Sequence, residues 1–152
     1  NSGVTNLSIG RFQEAIENFN QVLKLSAGDP YAYFNRASAK RFMNDHKGSV
    51  EDNSKVIDLD PTFVQAYINR AHSRNKLGDY KGALSDTNKA ISMNNKEATA
   101  FVNRSIAKAV LKDFHGAMSD IKVAKSIYEN QHNPDAYQEA EKIEQLIKQL
   151  TQ

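Results

Sequence analysis

The chain has no cysteine, no tryptophan and only 3 prolines in 152 residues. It also lacks any apolar run near the ~18 residues that a membrane-spanning helix needs. Without cysteine there can be no disulfide, thiolate nucleophile or sulfur-ligated metal. The compartment stays open, because a reduced cytosol and a cysteine-free exported protein both fit. No signal peptide is visible. Charge of one sign is missing too: 20 basic and 18 acidic residues give a formal net charge of +2. That balance demands neither nucleic acid nor a membrane surface as partner. Hydrophobic residues reach only 39%, as expected of a thin stack of helices with much surface per residue. The length suits one domain of ordinary size.

Catalytic signatures are equally scarce. His46, His72, His115 and His132 are isolated in sequence, and there is no HExxH. There is no GxxxxGK[ST] and no glycine-rich strand-to-helix turn. His46 and His115 fall at the starts of predicted helices, where packing or solvent exposure accounts for them. The reading is a non-enzyme with no cofactor and no metal.

What is present is a period. The stretch Tyr67 to Met93 reads as a helix, a Leu77-Gly78-Asp79 turn and a second helix. Gly ends the first segment in a left-handed conformation and Asp caps the next. Asn-Arg-small recurs at Asn35-Arg36-Ala37, Asn69-Arg70-Ala71 and Asn103-Arg104-Ser105, and 69 − 35 = 103 − 69 = 34. Stepping back once more lands on Asn1. Tyr33, Tyr67 and Phe101 keep the same interval, as do Phe12, His46, Tyr80 and Phe114. Ala15, Ser49, Ala83 and Ala117 follow, then Ile16, Val50, Leu84 and Met118, and Leu25, Leu59, Met93 and Ile127 close the comb. One helical hairpin cannot bury its apolar face alone, so the copies are expected to stack. After Ile127 the period stops. Gln131 to Asp135 reads as a turn, and Ala136, Ala140, Ile143, Ile147 and Leu150 form one stripe of a closing amphipathic helix.

These columns resemble the tetratricopeptide repeat, a helix-turn-helix unit of ~34 residues. The resemblance implies an all-α, right-handed superhelical solenoid with about nine helices and no strands. The expected organisation is one domain: a truncated unit at 1–29, units at 30–63, 64–97 and 98–131, and a capping helix in 132–152. The chain is thus expected to open inside a repeat. Departures are local: Asn44 replaces the glycine of Gly10 and Gly78, and Asn53 and Thr87 occupy an often aromatic column that Phe19 keeps.

Packing alone does not explain Asn1, Asn35, Asn69 and Asn103. Asn is a poor helix former, yet it holds one first-helix site in every unit. In tetratricopeptide arrays that site lines the concave groove. An Asn amide can bond both the C=O and the N–H of a peptide unit, so a ladder of them could hold an extended backbone without reading its sequence. The expected peptide-binding set is Asn35, Asn69 and Asn103, with Tyr31, Ser38, Phe42, His72, Lys76 and Ile106 on the stripe and Phe34, Ile68 and Val102 as an apolar column beside it. The competing reading is local bonding that shapes the stack.

Charge is segregated: the first helices carry Arg36, Lys40, Arg41, Arg70, Arg74, Lys76, Arg104 and Lys108 and no acid. Arg36, Arg70 and Arg104 recur in units that also carry Asp52, Asp86 and Asp120. The first unit lacks both charges, with Ser2 and Asn18 in those columns. Interhelical Arg–Asp pairs are therefore expected. Arg41 and Lys76 with His72 remain to attract an acidic peptide. The carboxylate clamp of chaperone-binding family members needs basic residues in a third unit, where this chain has Gln65 and Asn69 or Thr99 and Asn103, so that clamp is not expected. The expected partner is a protein or peptide. Self-association through a terminal repeat and single-stranded RNA binding are the alternatives.

Overall fold

The computed structural model describes residues 3–4 and 10–152. Asn1 and Ser2, predicted to start the polar and charged columns, lie outside that set. Among the described residues there are eight helices of the expected kind and no strand. They are α1 (Phe12–Leu25), α2 (Pro30–Phe42), α3 (His46–Leu59), α4 (Val64–Leu77), α5 (Tyr80–Met93), α6 (Ala98–Val110), α7 (Phe114–Asn130) and α8 (Pro134–Leu150). The chain forms two compact units, Asn1–Leu77 and Gly78–Gln152. In the first, α1 to α4 pack each on the next, and α2 also touches α4. In the second, α5 to α8 do the same, and α6 also touches α8.

Capping residues set the helix starts. The carboxylates of Asp45, Asp79 and Asp113 accept from the backbone N–H of Gly48, Gly82 and Gly116 at 2.9, 3.0 and 2.9 Å. The absence of a side chain leaves room for the cap: a Cβ would come within 2.3 Å of the other carboxylate oxygen, Oδ2, at Gly48 and within 2.2 Å of it at Gly82 and Gly116. Asp29 and Asn133 cap α2 and α8, each followed by a proline at the first helical position.

Left-handed residues close the preceding helices. Gly78 has φ +83°, and Asn44, Lys112 and His132 have φ 61°, 69° and 53°. Asn44 and Lys112 stand 34 residues to either side of Gly78. Behind them the Asp45 and Asp113 N–H groups donate to the Lys40 and Lys108 carbonyls, both at 2.8 Å, in Schellman closures.

The buried apolar residues are mostly alanine. Small columns let helix backbones approach closely, and a few large side chains fill the gaps. In the first unit Ala15, Phe19, Ala32 and Ala39 form one cluster. In the second unit Ala117, Ile121, Ala140 and Ile147 form another, and Ala98, Phe101 and Ala124 a third. Asn53 and Thr87, in the column of Phe19 and Ile121, are fully buried and donate locally, while Asn53 Oδ1 has no partner. Asn53 Nδ2 donates to the Ser49 carbonyl at 3.0 Å, and Thr87 Oγ1 to the Ala83 carbonyl at 2.8 Å.

Two expectations change. Leu25 and Leu59 are exposed, whereas Ile127 in the same column packs on the cluster of Ala98, Phe101 and Ala124. In α8 the buried stripe is Ala140, Glu144 and Ile147, while Leu150 lies exposed. Glu144 is held there by Lys125, whose ammonium also bonds Glu141. These bonds hold both carboxyl groups below the usual range, with Lys125 as the largest cause in each case.

Candidate functional site

The first helices of the repeats are α2, α4 and α6, and each predicted site residue lies on or beside their polar stripe. In the first unit Asn35 and Asn69 are half-buried, and their side chains make no hydrogen bond among the described residues. Asn103 in the second unit is different. It is 3% exposed and already engaged, so its amide is not presented as its sequence equivalence to Asn35 suggests.

Around Asn35 the stripe is aromatic. Tyr31 is 66% exposed and meets the Phe63 ring edge-on at 5.5 Å. Phe34 is half-buried and packs on the same ring at 4.9 Å. Ser38 Oγ donates back to the Phe34 carbonyl at 3.2 Å. Phe42, largely exposed, stacks on Phe12 with ring centres 5.1 Å apart. The apolar column is less accessible than expected. Ile68 is 1% exposed, and Val102 is half-buried against two clusters of the second unit. Ile106 and His72 are half-buried and Lys76 is exposed.

Most first-helix cations are consumed internally. Arg36 donates through Nε and Nη2 to the two Asp52 oxygens at 2.8 and 2.7 Å, and its Nη1 donates to Asn20 Oδ1 at 2.8 Å. Lys40 adds a third contact to Asp52 at 3.0 Å. The second unit repeats the arrangement. Arg104 donates to Asp120 at 2.8 and 2.7 Å and to Asn88 at 3.0 Å, and Lys108 reaches Asp120 at 2.9 Å. Both aspartates are almost fully buried. These are two of the three predicted Arg–Asp pairs, and their planar bidentate geometry is the strong form of this interaction. The hydrogen bond to Asp52 raises the Arg36 pKa further, against the opposing effect of burial. Arg70 Nη1 donates to Ser54 Oγ at 3.0 Å.

A second group of cations in the first unit has no such acids. The Arg41 guanidinium lies over the Phe42 ring at 4.6 Å, and its Nε is buried without a hydrogen-bond partner. Burial lowers its pKa, although a guanidinium remains charged. The His46 ring lies 6.1 Å from that of His72. Its Nδ1 is buried without a partner. Burial first, then the positive charges of Lys76 and Arg41, hold the imidazole below the usual histidine range, with Asp45 opposing them. Sequence reasoning assigned His46 to packing or solvent. The available signal was that His46 interrupts the aromatic column of Phe12, Tyr80 and Phe114.

Elsewhere, an open cleft of about 680 Å³ in the second unit is lined by Tyr128, His132, Pro134 and Tyr137, none of them predicted. Among the described residues no group of three or more His, Cys, Asp or Glu side chains could hold a metal, and no helix is long and apolar enough to cross a membrane.

Comparison with known proteins agrees with this architecture. Tetratricopeptide repeat protein 36 of Danio rerio is 40% identical over 50 residues. That match covers 33% of this chain and 27% of the fish protein, so the chain spans about a quarter of the length of this relative. MamA of Desulfovibrio magneticus RS-1 superposes with a TM-score of 0.79 at 18% identity, covering 99% of this chain and 92% of that one. The TPR2B domain of yeast Sti1, solved in a complex with pHsp70, superposes at 0.74 with 20% identity, covering 79% and 96%. YrrB, described as a TPR protein with an unusual peptide-binding site, superposes at 0.72 with 15% identity, covering 95% and 82%. At these identities the structures share the fold. The family profile described as tetratricopeptide repeat matches residues 1–29, 30–63 and 64–97 in succession. Those matches take in 97 of 152 residues, and the chain belongs to the tetratricopeptide repeat family.

Proposed function

We propose that the α2 and α4 face of the first unit binds an extended segment of a partner polypeptide, as a non-catalytic interaction scaffold. The observation that carries this reading is the state of Asn35 and Asn69. Both are half-buried on first helices and neither amide bonds to another described residue. A residue type that weakens a helix and satisfies nothing within the fold has no evident structural return. Each amide is free to pair with one peptide unit of a ligand. Tyr31 and Phe42 flank them as exposed aromatic surface, the kind of residue enriched in binding patches. The descriptions of YrrB and the Sti1 domain, which mention a peptide-binding site and a complex, agree with this use of the fold. The remaining positive groups favour an acidic partner.

The test is selection of ligands from an immobilised library of unstructured peptides, followed by titration of the double variant Asn35→Ala, Asn69→Ala. Two peptide-directed amides at about 1 kcal/mol each correspond to roughly 30-fold weaker binding, with thermal stability nearly unchanged. Unchanged affinity together with lowered stability would show that the asparagines are structural.

A further inference from the structure

Arg36, Lys40, Arg104, Lys108 and Lys125 each meet a carboxylate within 3.0 Å. Arg41 and Lys76 form no ion pair among the described residues, and His46 makes no hydrogen bond through its ring. The three come together at adjoining helix ends: the His46 ring lies 6.1 Å from that of His72, Lys76 stands one turn beyond His72 on α4, and both Arg41 and Lys76 act on the imidazole. The carboxylate that also acts on it, Asp45, is already bonded to the Gly48 N–H at 2.9 Å.

Repeat stacking does not require this group. Thirty-four residues on from Arg41, His46, His72 and Lys76 stand Asn75, Tyr80, Ile106 and Val110, none of them basic. Holding the Arg41 and Lys76 charges near one another while leaving a guanidinium Nε buried and unbonded destabilises the free protein. An arriving anion would relieve that repulsion. The hardware suits one: the Arg41 guanidinium lies 4.6 Å over the Phe42 ring, which itself stacks on Phe12, so the charged fork is held in place before a ligand arrives. His46 Nδ1 is the sealed ring nitrogen, which leaves Nε2 as its contact atom.

We propose that Arg41, His46 and Lys76, at the junction of α2, α3 and α4, form an anion-accepting subsite that takes the side-chain carboxylate of an acidic residue in the bound peptide. It rests on the peptide-binding reading above and names the ligand chemistry at one end of that face. Carboxylate is favoured over phosphate because Arg41 alone offers a planar fork and Lys76 and His46 are single-point donors.

The first measurement uses the intact chain and simple anions. Sodium acetate, titrated against chloride at equal ionic strength, should move the NMR signals of the Arg41 Nε–H and the His46 ring saturably. Arg41→Gln should abolish the His46 response, and Lys76→Gln, at an exposed position, should weaken it about fivefold. Acetate indistinguishable from chloride overturns the proposal. Phosphate bound more tightly than acetate overturns the carboxylate assignment and directs attention to phosphate-bearing ligands such as RNA. The second measurement compares an alternating Glu-Ala octapeptide with its Gln-Ala counterpart. The acidic peptide should bind at least fivefold more tightly, and its advantage should grow as pH falls below about 6.5, where His46, held below the usual histidine range, gains its proton beside Arg41, Lys76, His72 and Asp45. Equal binding of the two peptides refutes the subsite. Failure of Asn35→Ala, Asn69→Ala to weaken either peptide while acetate still binds refutes the peptide-face reading and leaves the subsite standing.

Discussion

The ion-pair cluster around Asp120 can be dismantled from either side, and the two ways should not cost the same. Asp120 has a side chain 5% exposed, against 19% for Arg104 and 22% for Lys108. Asp120→Asn removes the charge but leaves two cations that can reach water. Lys108 can extend outward, and Arg104 keeps its bond to Asn88 and its place 5.4 Å over the Phe101 ring. The loss is then that of charge-assisted bonds, about 2 kcal/mol. Replacing Arg104 and Lys108 together with Met leaves the carboxylate sealed and unpaired. That situation costs about 3–5 kcal/mol, a large part of the ~5–15 kcal/mol that holds a domain together.

The third member of the series is the triple variant in which Asp120 also becomes Met. With no charge left to desolvate, it should recover most of the loss, because apolar replacement of a buried ionic cluster is often neutral. Equilibrium unfolding in urea at pH 7 reads all three, with the midpoint interpreted only where the slope is unchanged. If Asp120→Asn proves worse than the double cation variant, or the triple variant stays as unstable as the double, the account of burial given for this cluster is wrong.

Two further predictions concern other buried polar sites. Asn53 is fully buried with Oδ1 unbonded, so Asn53→Val, of similar volume, should stabilise the first unit by about 1 kcal/mol in thermal or urea unfolding; a destabilised variant would show that the amide is needed where it is. Glu144 has its carboxyl held below the usual range by Lys125 and Lys148. A group depressed in the folded state adds stability above its unfolded pKa and loses it as pH falls through the folded value. Stability should therefore decline below about pH 4.5, and Glu144→Gln should be less stable at neutral pH with a shallower acid limb; an identical acid limb in the variant would exclude Glu144 as its source.

How much of this was legible in the sequence follows from what a period can carry. A period reports what each repeat needs in common. It located the hairpins and the turn residues, and through the joint absence of Arg and Asp from the first unit it located the Arg–Asp pairs. Features that occur once have no column to reveal them. Glu144 lies in the closing helix, where a lone acid on an apolar stripe reads as surface until Lys125 is seen beneath it. Identity of residue also fails to fix environment: Asn35 and Asn103 share a column, yet one is half-exposed and unbonded and the other is buried and engaged. The same logic runs in reverse for function. Whatever all repeats share is explained by stacking, so a ligand must be read by what one repeat has and its neighbours lack. Arg41, His46 and Lys76 satisfy that condition, with Asn75, Tyr80 and Val110 in their places one repeat later. Asn35 and Asn69 satisfy it only through their environment, because the column itself is shared. The basic subsite is thus a more discriminating feature of this chain than the asparagine ladder, and its loss should alter which peptide is bound, whereas loss of Asn35 and Asn69 should alter whether any extended backbone is bound at all.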